Sequence, residues 1–328
     1  MGHRAQYAAC ILVALFLVLN ISLLCYFTLS SYRHVQHFVT QNCSSIVISL
    51  ATFGSRIFKI EPTIQSLIRQ TESVDFIVVN IALESRVGNV SRASLLQYLS
   101  TTFDSCVESS NLSDDGIHCF SNDTNKKNRL LFLIGPDLGP ATKVLGTIKR
   151  MPSLDDDTCI ISVDDDVLYD EHMVKALVSR APSDGALGFS CEEIPYELEL
   201  VHFFFPSVLW WYIIDKHSVI KFIYDDVVKC NGWLHGWQGI LYRKSFFSNN
   251  DILDSSMIPE GCFYADDVRL AGYLWTKGIK RYVFPHFLTD GKENIHHLKK
   301  NASDALSLIQ NTMLIKQWPC VQHFGWYE

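Results

Sequence analysis

The chain has 328 residues, 48% of them hydrophobic, which is enough to bury a sizeable core in one large domain or two fused halves and too apolar for a disordered polymer. Its formal net charge is −7, and no basic stripe is available to replace phosphate counterions, so a general nucleic-acid binder is excluded. An anionic ligand would have to be met by a local cation.

Residues 8–30, "AACILVALFLVLNISLLCYFTLS", carry no charged side chain and are long enough to cross a bilayer as a helix. They read as a membrane anchor behind a short tail, residues 1–7. The alternative is a cleaved signal peptide, whose apolar region is usually shorter and ends at a small-x-small site that is not clear here. Arg4 and Arg33 flank the span and leave its orientation undecided by charge. Sequons beyond it, at Asn42, Asn89, Asn111, Asn122 and Asn301, favour a lumenal body. Eight cysteines lie outside the anchor: Cys43, Cys106, Cys119, Cys159, Cys191, Cys230, Cys262 and Cys320. An even number permits disulfides, and only Cys106 with Cys119 suggests a local staple; buried thiols are the alternative.

A short stem, residues 31–44, leads into a body spanning 45–328. "SIVISLATFGSR" reads as a buried strand. "IFKIEPTIQSLIRQ" follows at helical spacing, and "VDFIVVNIAL" is a second strand. "RASLLQYLSTTF" is a helix, "RLLFLIG" a strand, "ATKVLGTIKRM" a helix and "TCIISV" a fourth strand. This alternation predicts an α/β fold with a mostly parallel sheet flanked by helices. Between Asp104 and Asn128 the chain is polar and aperiodic, and reads as a surface excursion. After Ala186 come aromatic-rich segments, including "CNGWLHGWQGILYRKSFF".

Two aspartate triplets bracket the fourth strand. Asp155, Asp156 and Asp157 precede it, after Pro152 and Ser153, and read as a solvated turn. Asp164, Asp165 and Asp166 follow it, at the carboxyl end of the strand, where open α/β sheets bind ligands. Adjacent carboxylates repel one another unless a cation or a set of donors offsets the charge. An extended chain would point Asp164 and Asp166 to one side and Asp165 to the other, and two carboxylates with water and phosphate oxygens suit Mn²⁺ or Mg²⁺.

With "VDDDV" in that position, the sequence resembles the metal-dependent glycosyltransferases of the GT-A fold, a Rossmann-like architecture whose D-x-D motif follows a central strand. The N-terminal anchor with a lumenal body is similar to the layout of single-pass type II enzymes of the Golgi or ER membrane. The resemblance implies a nucleotide-sugar donor and a glycan or glycoconjugate acceptor. It implies that Asp166 is the metal ligand, that Asp164 faces the ribose or a metal water, and that Asp165 belongs to the donor site. "DLGPATKVLG" stands where relatives contact the nucleotide, which brings in Asp137, Gly139 and Lys143. By its own chemistry Pro140 suits a first helical turn whose free amides could face a phosphate, with Lys143 adding charge; an ordinary helix start with Lys143 solvated is the alternative.

"GWLHGWQG" sets Trp233, Gly236 and Trp237 on a candidate acceptor loop, against the alternative that both indoles fill core. Asp266 and Asp267 open a helix, where acids also serve the dipole. The resemblance makes Asp267 the catalytic base of an inverting transfer, with Asp266 standing where relatives carry Glu. Some relatives take a third metal ligand from a C-terminal histidine. His286, His296 and His297 are available, and His297 is the candidate. A metal-dependent phosphohydrolase and a catalytically silent sugar-binding relative are the competing readings.

Overall fold

The computed structural model describes residues 38–85, 88–103, 106–109, 116–120, 129–192, 227–248, 251–254, 256, 258–284, 295–297 and 319–325. The expected anchor, most of the stem, the sequons at Asn111, Asn122 and Asn301, and His286 lie outside them. Among the described residues no helix is long and apolar enough to cross a membrane.

The first apolar run, Ile46–Phe53, is strand β1, and all its residues but the first are buried. A strand covered on both faces reads as a continuous hydrophobic run, and "IVISLATF" does so. Next come a 3-10 turn, Gly54–Lys59, and helix α1, Glu61–Ile68. The sequence predicts one helix across this stretch. Pro62, which lacks an N–H, fits the first turn of α1 instead, so the helix starts there. Strand β2, Phe76–Ala82, pairs in parallel with β1. After a two-residue hairpin, β3 (Glu84–Ser85) with β4 (Gly88–Asn89), comes helix α2, Arg92–Thr102, capped by the Ser91 side chain, which accepts the Ser94 N–H.

The polar segment expected as a surface excursion is partly sheet. Strands β5 (Cys106–Ser109) and β6 (Gly116–Phe120) form a hairpin, and β6 pairs with β7, Arg129–Ile134. Its few apolar residues hid that role in the sequence. Helix α3, Thr142–Arg150, leads to β8, Cys159–Ser162, which pairs in parallel with β1. Short elements follow: β9 (Val167–Tyr169), α4 (Met173–Val178), β10 (Gly185–Gly188), β11 (Cys191–Glu192), β12 (Val228–Lys229), β13 (Trp233–Leu234) and β14 (Ile240–Arg243). Helices α5 (Glu260–Tyr264) and α6 (Asp266–Thr276) follow, then β15 (Lys280–Val283), β16 (Ile295–His297) and a helical stretch at 319–323.

The main sheet has ten strands in the order β12-β15-β10-β14-β8-β1-β2-β7-β6-β5. Its pairings make β1, β2, β5, β7, β8, β10 and β15 run one way and β6, β12 and β14 the other. The expectation of a mostly parallel sheet therefore holds, with antiparallel strands outside the central four. Alternating residues serve opposite faces. Ile48 and Leu50 join Ile64 and Leu67 of α1 in one apolar cluster, while the Ser49 side chain bonds to α3.

That second face is fastened by polar groups. The Ser49 hydroxyl donates to the Lys143 carbonyl and meets Thr147 Oγ1 at 2.6 Å. Asn80 Nδ2 donates to Thr147 Oγ1 at 2.9 Å, and Asn80 Oδ1 accepts from Arg150 at 2.8 Å. Ser49, Asn80, Thr147 and Arg150 are all buried, so each bond also removes the cost of an orphaned polar atom. Helix α3 is thereby fixed in register on β1 and β2.

All eight cysteines outside the expected anchor pair, as Cys43–Cys159, Cys106–Cys119, Cys191–Cys230 and Cys262–Cys320. Trp233 packs against the apolar cluster around Cys262 and Cys320.

Candidate functional site

Strand order reverses between β1 and β8: the chain builds outward from β1 through β2 to β7, then crosses back over α3 to reach β8 on the other side of β1. The carboxyl ends at such a switch point diverge and leave a crevice. Beyond β1 the crevice receives Arg56, and beyond β8 it receives Asp164, Asp165 and Asp166.

The two triplets are separated by environment as the sequence predicts. The upstream one is exposed: Gln41 Nε2 donates to Asp157 Oδ1 at 2.8 Å, and Lys244 Nζ reaches Asp156 at 3.1 Å. The downstream one is drawn inward, with Asp165 only 7% exposed. Its expected alternation does not occur. Strand β8 ends at Ser162, the Val163 N–H still donates to the Ser49 carbonyl at 3.0 Å, and the chain turns at Asp165 and Asp166. Thr63 Oγ1 donates to the Asp165 carbonyl at 3.0 Å, and the Asp164 N–H donates to Tyr169 Oη at 2.8 Å. As a result Asp165 bonds to Arg56, Asp166 lies 3.4 Å from the same guanidinium, and Asp164 turns the other way to Lys143.

Lys143 links the two halves of the site. Its Nζ lies 2.8 Å from both Asp164 Oδ1 and Asp266 Oδ2, with its side chain 8% exposed. The reading of a solvated Lys143 is thus set aside. Burial disfavours its ammonium, but Asp164, Asp266 and Asp267 outweigh that and hold its pKa well above the usual lysine value. Gly236 fits between the partners: a Cβ there would lie 2.6 Å from Lys143 Nζ and 2.8 Å from Asp267 Oδ1. Its N–H donates to Asp267 Oδ2 at 3.0 Å.

Asp267 Oδ1 is enclosed without a hydrogen-bond partner among the described residues. Burial first, then the charge of Asp266, pushes the Asp267 carboxyl up to about 7, against the pull of Lys143 and the Gly236 N–H. Burial likewise lifts Asp165 to about 6, against the pull of Arg56. Burial lowers Arg269 to about 10 while Asp266 opposes the shift.

The remaining sequence candidates fall around this centre. Asp137 Oδ1 accepts the Gly139 N–H at 2.8 Å and closes a turn before α3. Gly139, at φ 76°, makes a close approach to its own chain: a Cβ would lie 2.2 Å from the Phe263 carbonyl. Trp237 is half-buried, and its carbonyl accepts from Tyr169 Oη at 3.0 Å, so Tyr169 ties the Asp164 turn to the Gly236 segment. Trp233 is half-buried against the disulfide cluster, which is nearer the alternative in which the indole fills core. The backbone of His297 pairs opposite Val167, the residue after Asp166, so β16 runs beside the triplet. The sequence does not mark Arg56, whose one local signal is a cation three residues beyond the first buried strand.

Five carboxylates, Asp164, Asp165, Asp166, Asp266 and Asp267, therefore interact with the cations Arg56, Lys143 and Arg269. That excess of hard oxygen donors fits a divalent cation of the Mg²⁺ or Mn²⁺ type. Among the described residues no three His, Cys, Asp or Glu side chains group to hold an ion by themselves. An ion bound through one or two carboxylates and the phosphates of a ligand asks for no such group.

No protein-family model matches the chain, and no curated protein sequence matches it. Among solved structures it is similar to the crystal structure of S. aureus TarS 1-349, with a TM-score of 0.40 and 13% identity. The alignment covers 74% of this chain and 58% of that one, so this chain spans less than two thirds of its length.

Proposed function

We propose that this protein is a glycosyltransferase that moves a sugar from a nucleotide-sugar donor to a hydroxyl of a glycan or glycoconjugate, with inversion at the anomeric carbon. The observation that carries the reading is the convergence, at the switch point, of the Asp164–Asp166 turn and the Asp266–Asp267 pair across Lys143. Diphosphate recognition needs cations and a metal site; acceptor activation needs a base separate from them. Both sets of groups meet here.

Asp164 and Asp166 are the residues that would hold Mn²⁺ or Mg²⁺, with His297 a third candidate. When bound, such an ion would neutralise the leaving diphosphate. Arg56 and Lys143 add positive charge beside it. Asp267, poised near neutral pH, takes the proton of the acceptor hydroxyl as that oxygen bonds to the anomeric carbon and the bond to the diphosphate breaks. Asp266, held on Lys143, orients this side of the site. Gly236 and Trp237 border it, and Trp233 supports the border from its apolar cluster. Asp137 and Gly139 shape the turn that starts α3 and so set the direction of Lys143. Four disulfides and exposed sequon asparagines at Asn42 and Asn89 support a lumenal body, carried in the Golgi or ER membrane by the 8–30 segment.

The test is turnover of a panel of nucleotide sugars by the purified chain, with and without Mn²⁺, in the presence of mixed glycan acceptors. The expected result is Mn²⁺-dependent release of one nucleoside diphosphate with transfer to a glycan. Hydrolysis of simple phosphomonoesters would favour a phosphohydrolase instead, and binding without turnover a silent sugar-binding protein.

A further inference from the structure

The cations on the two sides of the triplet are held in different ways. The Lys143 side chain is 8% exposed, contacts two carboxylates at 2.8 Å and grows from a helix whose backbone and side chains are bonded into the sheet at Ser49 and Asn80. Moving it would strand Asp164 and Asp266 together and leave an ammonium in a buried place. Arg56 stands on a 3-10 turn with no side-chain cap, and its side chain is 23% exposed. It bonds to Asp165, and Asp166 at 3.4 Å is beyond the ordinary length of a charge-assisted hydrogen bond. Asp166 itself is 24% exposed, whereas the Asp165 side chain is 5% exposed. Of the two carboxylates beside Arg56, the more accessible one, Asp166, is thus the one that Arg56 holds less closely.

We infer that Arg56 is an exchangeable counter-ion, which neutralises Asp165 and Asp166 while the site is empty and turns to the diphosphate of the donor when a divalent cation is bound at Asp166. The inference rests on the metal-dependent nucleotide-sugar reading above. A guanidinium and a divalent cation beside one carboxylate repel each other, so Arg56 weakens metal binding in the absence of nucleotide. A diphosphate removes that penalty, because its oxygens accept the planar fork of an arginine in a bidentate manner. Metal and nucleotide then each raise the affinity of the other by the same factor, as linkage requires. Lys143 stays in place throughout and holds Asp266 beside Asp164. The device assigns specificity as well: a ligand without a diphosphate leaves Arg56 on the carboxylates and gains nothing from the metal.

The experiment measures Mn²⁺ affinity of the full chain in detergent from the spin-resonance signal of free Mn²⁺, alone and with the tightest binder among UDP, GDP, CDP and ADP. In the wild type the nucleotide should tighten Mn²⁺ at least about tenfold, the scale of ordinary site coupling. In Arg56→Gln, Mn²⁺ alone should bind roughly tenfold tighter than in the wild type, with the nucleotide enhancement reduced to about twofold or less. Arg56→Lys keeps the charge but not the fork; it should bind Mn²⁺ alone as the wild type does, yet show a reduced enhancement. Thermal melting of both variants confirms folding. If Arg56→Gln binds Mn²⁺ alone no more tightly than the wild type, or keeps the full enhancement, the inference is overturned while the metal-dependent reading stands. If the wild type binds no Mn²⁺ with any of the four nucleotides, that reading fails and the inference falls with it.

Discussion

Asp267, the proposed base, is a buried carboxylate whose ionisation costs the fold stability. Its folded pKa lies near 7, against 3.8 in the unfolded chain, so the folded state binds the extra proton between these values. The contribution of Asp267 to stability is therefore most favourable below about pH 4 and falls as pH rises toward 7. Asp267→Asn removes the ionisation and keeps an oxygen for the Gly236 N–H. At pH 8 the variant should be more stable than the wild type by about 1–2 kcal/mol in urea unfolding, and at pH 4 nearly equal to it. The same variant should lose transfer activity by at least about a hundredfold with donor binding kept, and should lack the acid limb near pH 7 that is expected of the wild type. Had Asp267 been only a dipole cap, activity would persist and stability would drop. A Gly236→Ala substitution acts from the opposite side of this contact. The added Cβ meets Lys143 Nζ and Asp267 Oδ1 well inside van der Waals distance, so transfer should fall while the melting temperature drops by only a few degrees.

At the scale of elements, β8 and α3 carry the argument. One strand enters from an exposed aspartate turn and leaves into an enclosed one, so the two triplets are a matched comparison within one molecule. Asp166→Asn should abolish Mn²⁺-dependent nucleotide binding, and Asp156→Asn should leave it unchanged; calorimetric titration of both variants checks this. Helix α3 holds Lys143 through polar contacts rather than propensity alone. Asn80→Leu deprives Ser49, Thr147 and Arg150 of a buried partner and should cost about 3 kcal/mol in urea unfolding, with wild-type m-value. The sequence was informative where a single period dominated: β1, β2, β7 and β8 are near-continuous apolar runs, and the placement of Asp164 to Asp166 at the end of β8 follows from that alone. It was poor where pairing is made by distant segments. Strands β10, β12, β14 and β15 are only two to four residues long, and nothing local marks them as parts of the main sheet. Arg56 was illegible because an isolated arginine after a glycine is an ordinary surface residue until the strand order brings it to the triplet. The pairing of Lys143 with Asp266, across more than a hundred residues of chain, was hidden for the same reason.

For the whole molecule the disulfides matter most. Cys43–Cys159 closes a loop with a sequence separation of 116, and Cys106–Cys119 one of 13. If both act by limiting the unfolded chain, removing the first pair by a double Cys→Ser change should cost roughly 4–5 kcal/mol and the second about 3 kcal/mol. Mass spectrometry of the chain alkylated without reduction should find the eight cysteines outside the expected anchor unmodified and joined in the four pairs. The Cys43–Cys159 bond also has a directional consequence. It joins the first described segment to the entering end of β8, and Gln41 and Thr40 reinforce this by pairing with Ala181 and Pro182, just ahead of β10. The proposed anchor precedes this tether by only a short stem, whereas Asp166 and Asp267 lie at the exit end of the same sheet. If residues 8–30 are the anchor, an enzyme mounted this way would be held by its base with its working face turned outward. Its acceptors would be sugar chains that extend well clear of the lipid, on passing glycoproteins or long glycolipids, rather than head groups lying in the bilayer surface.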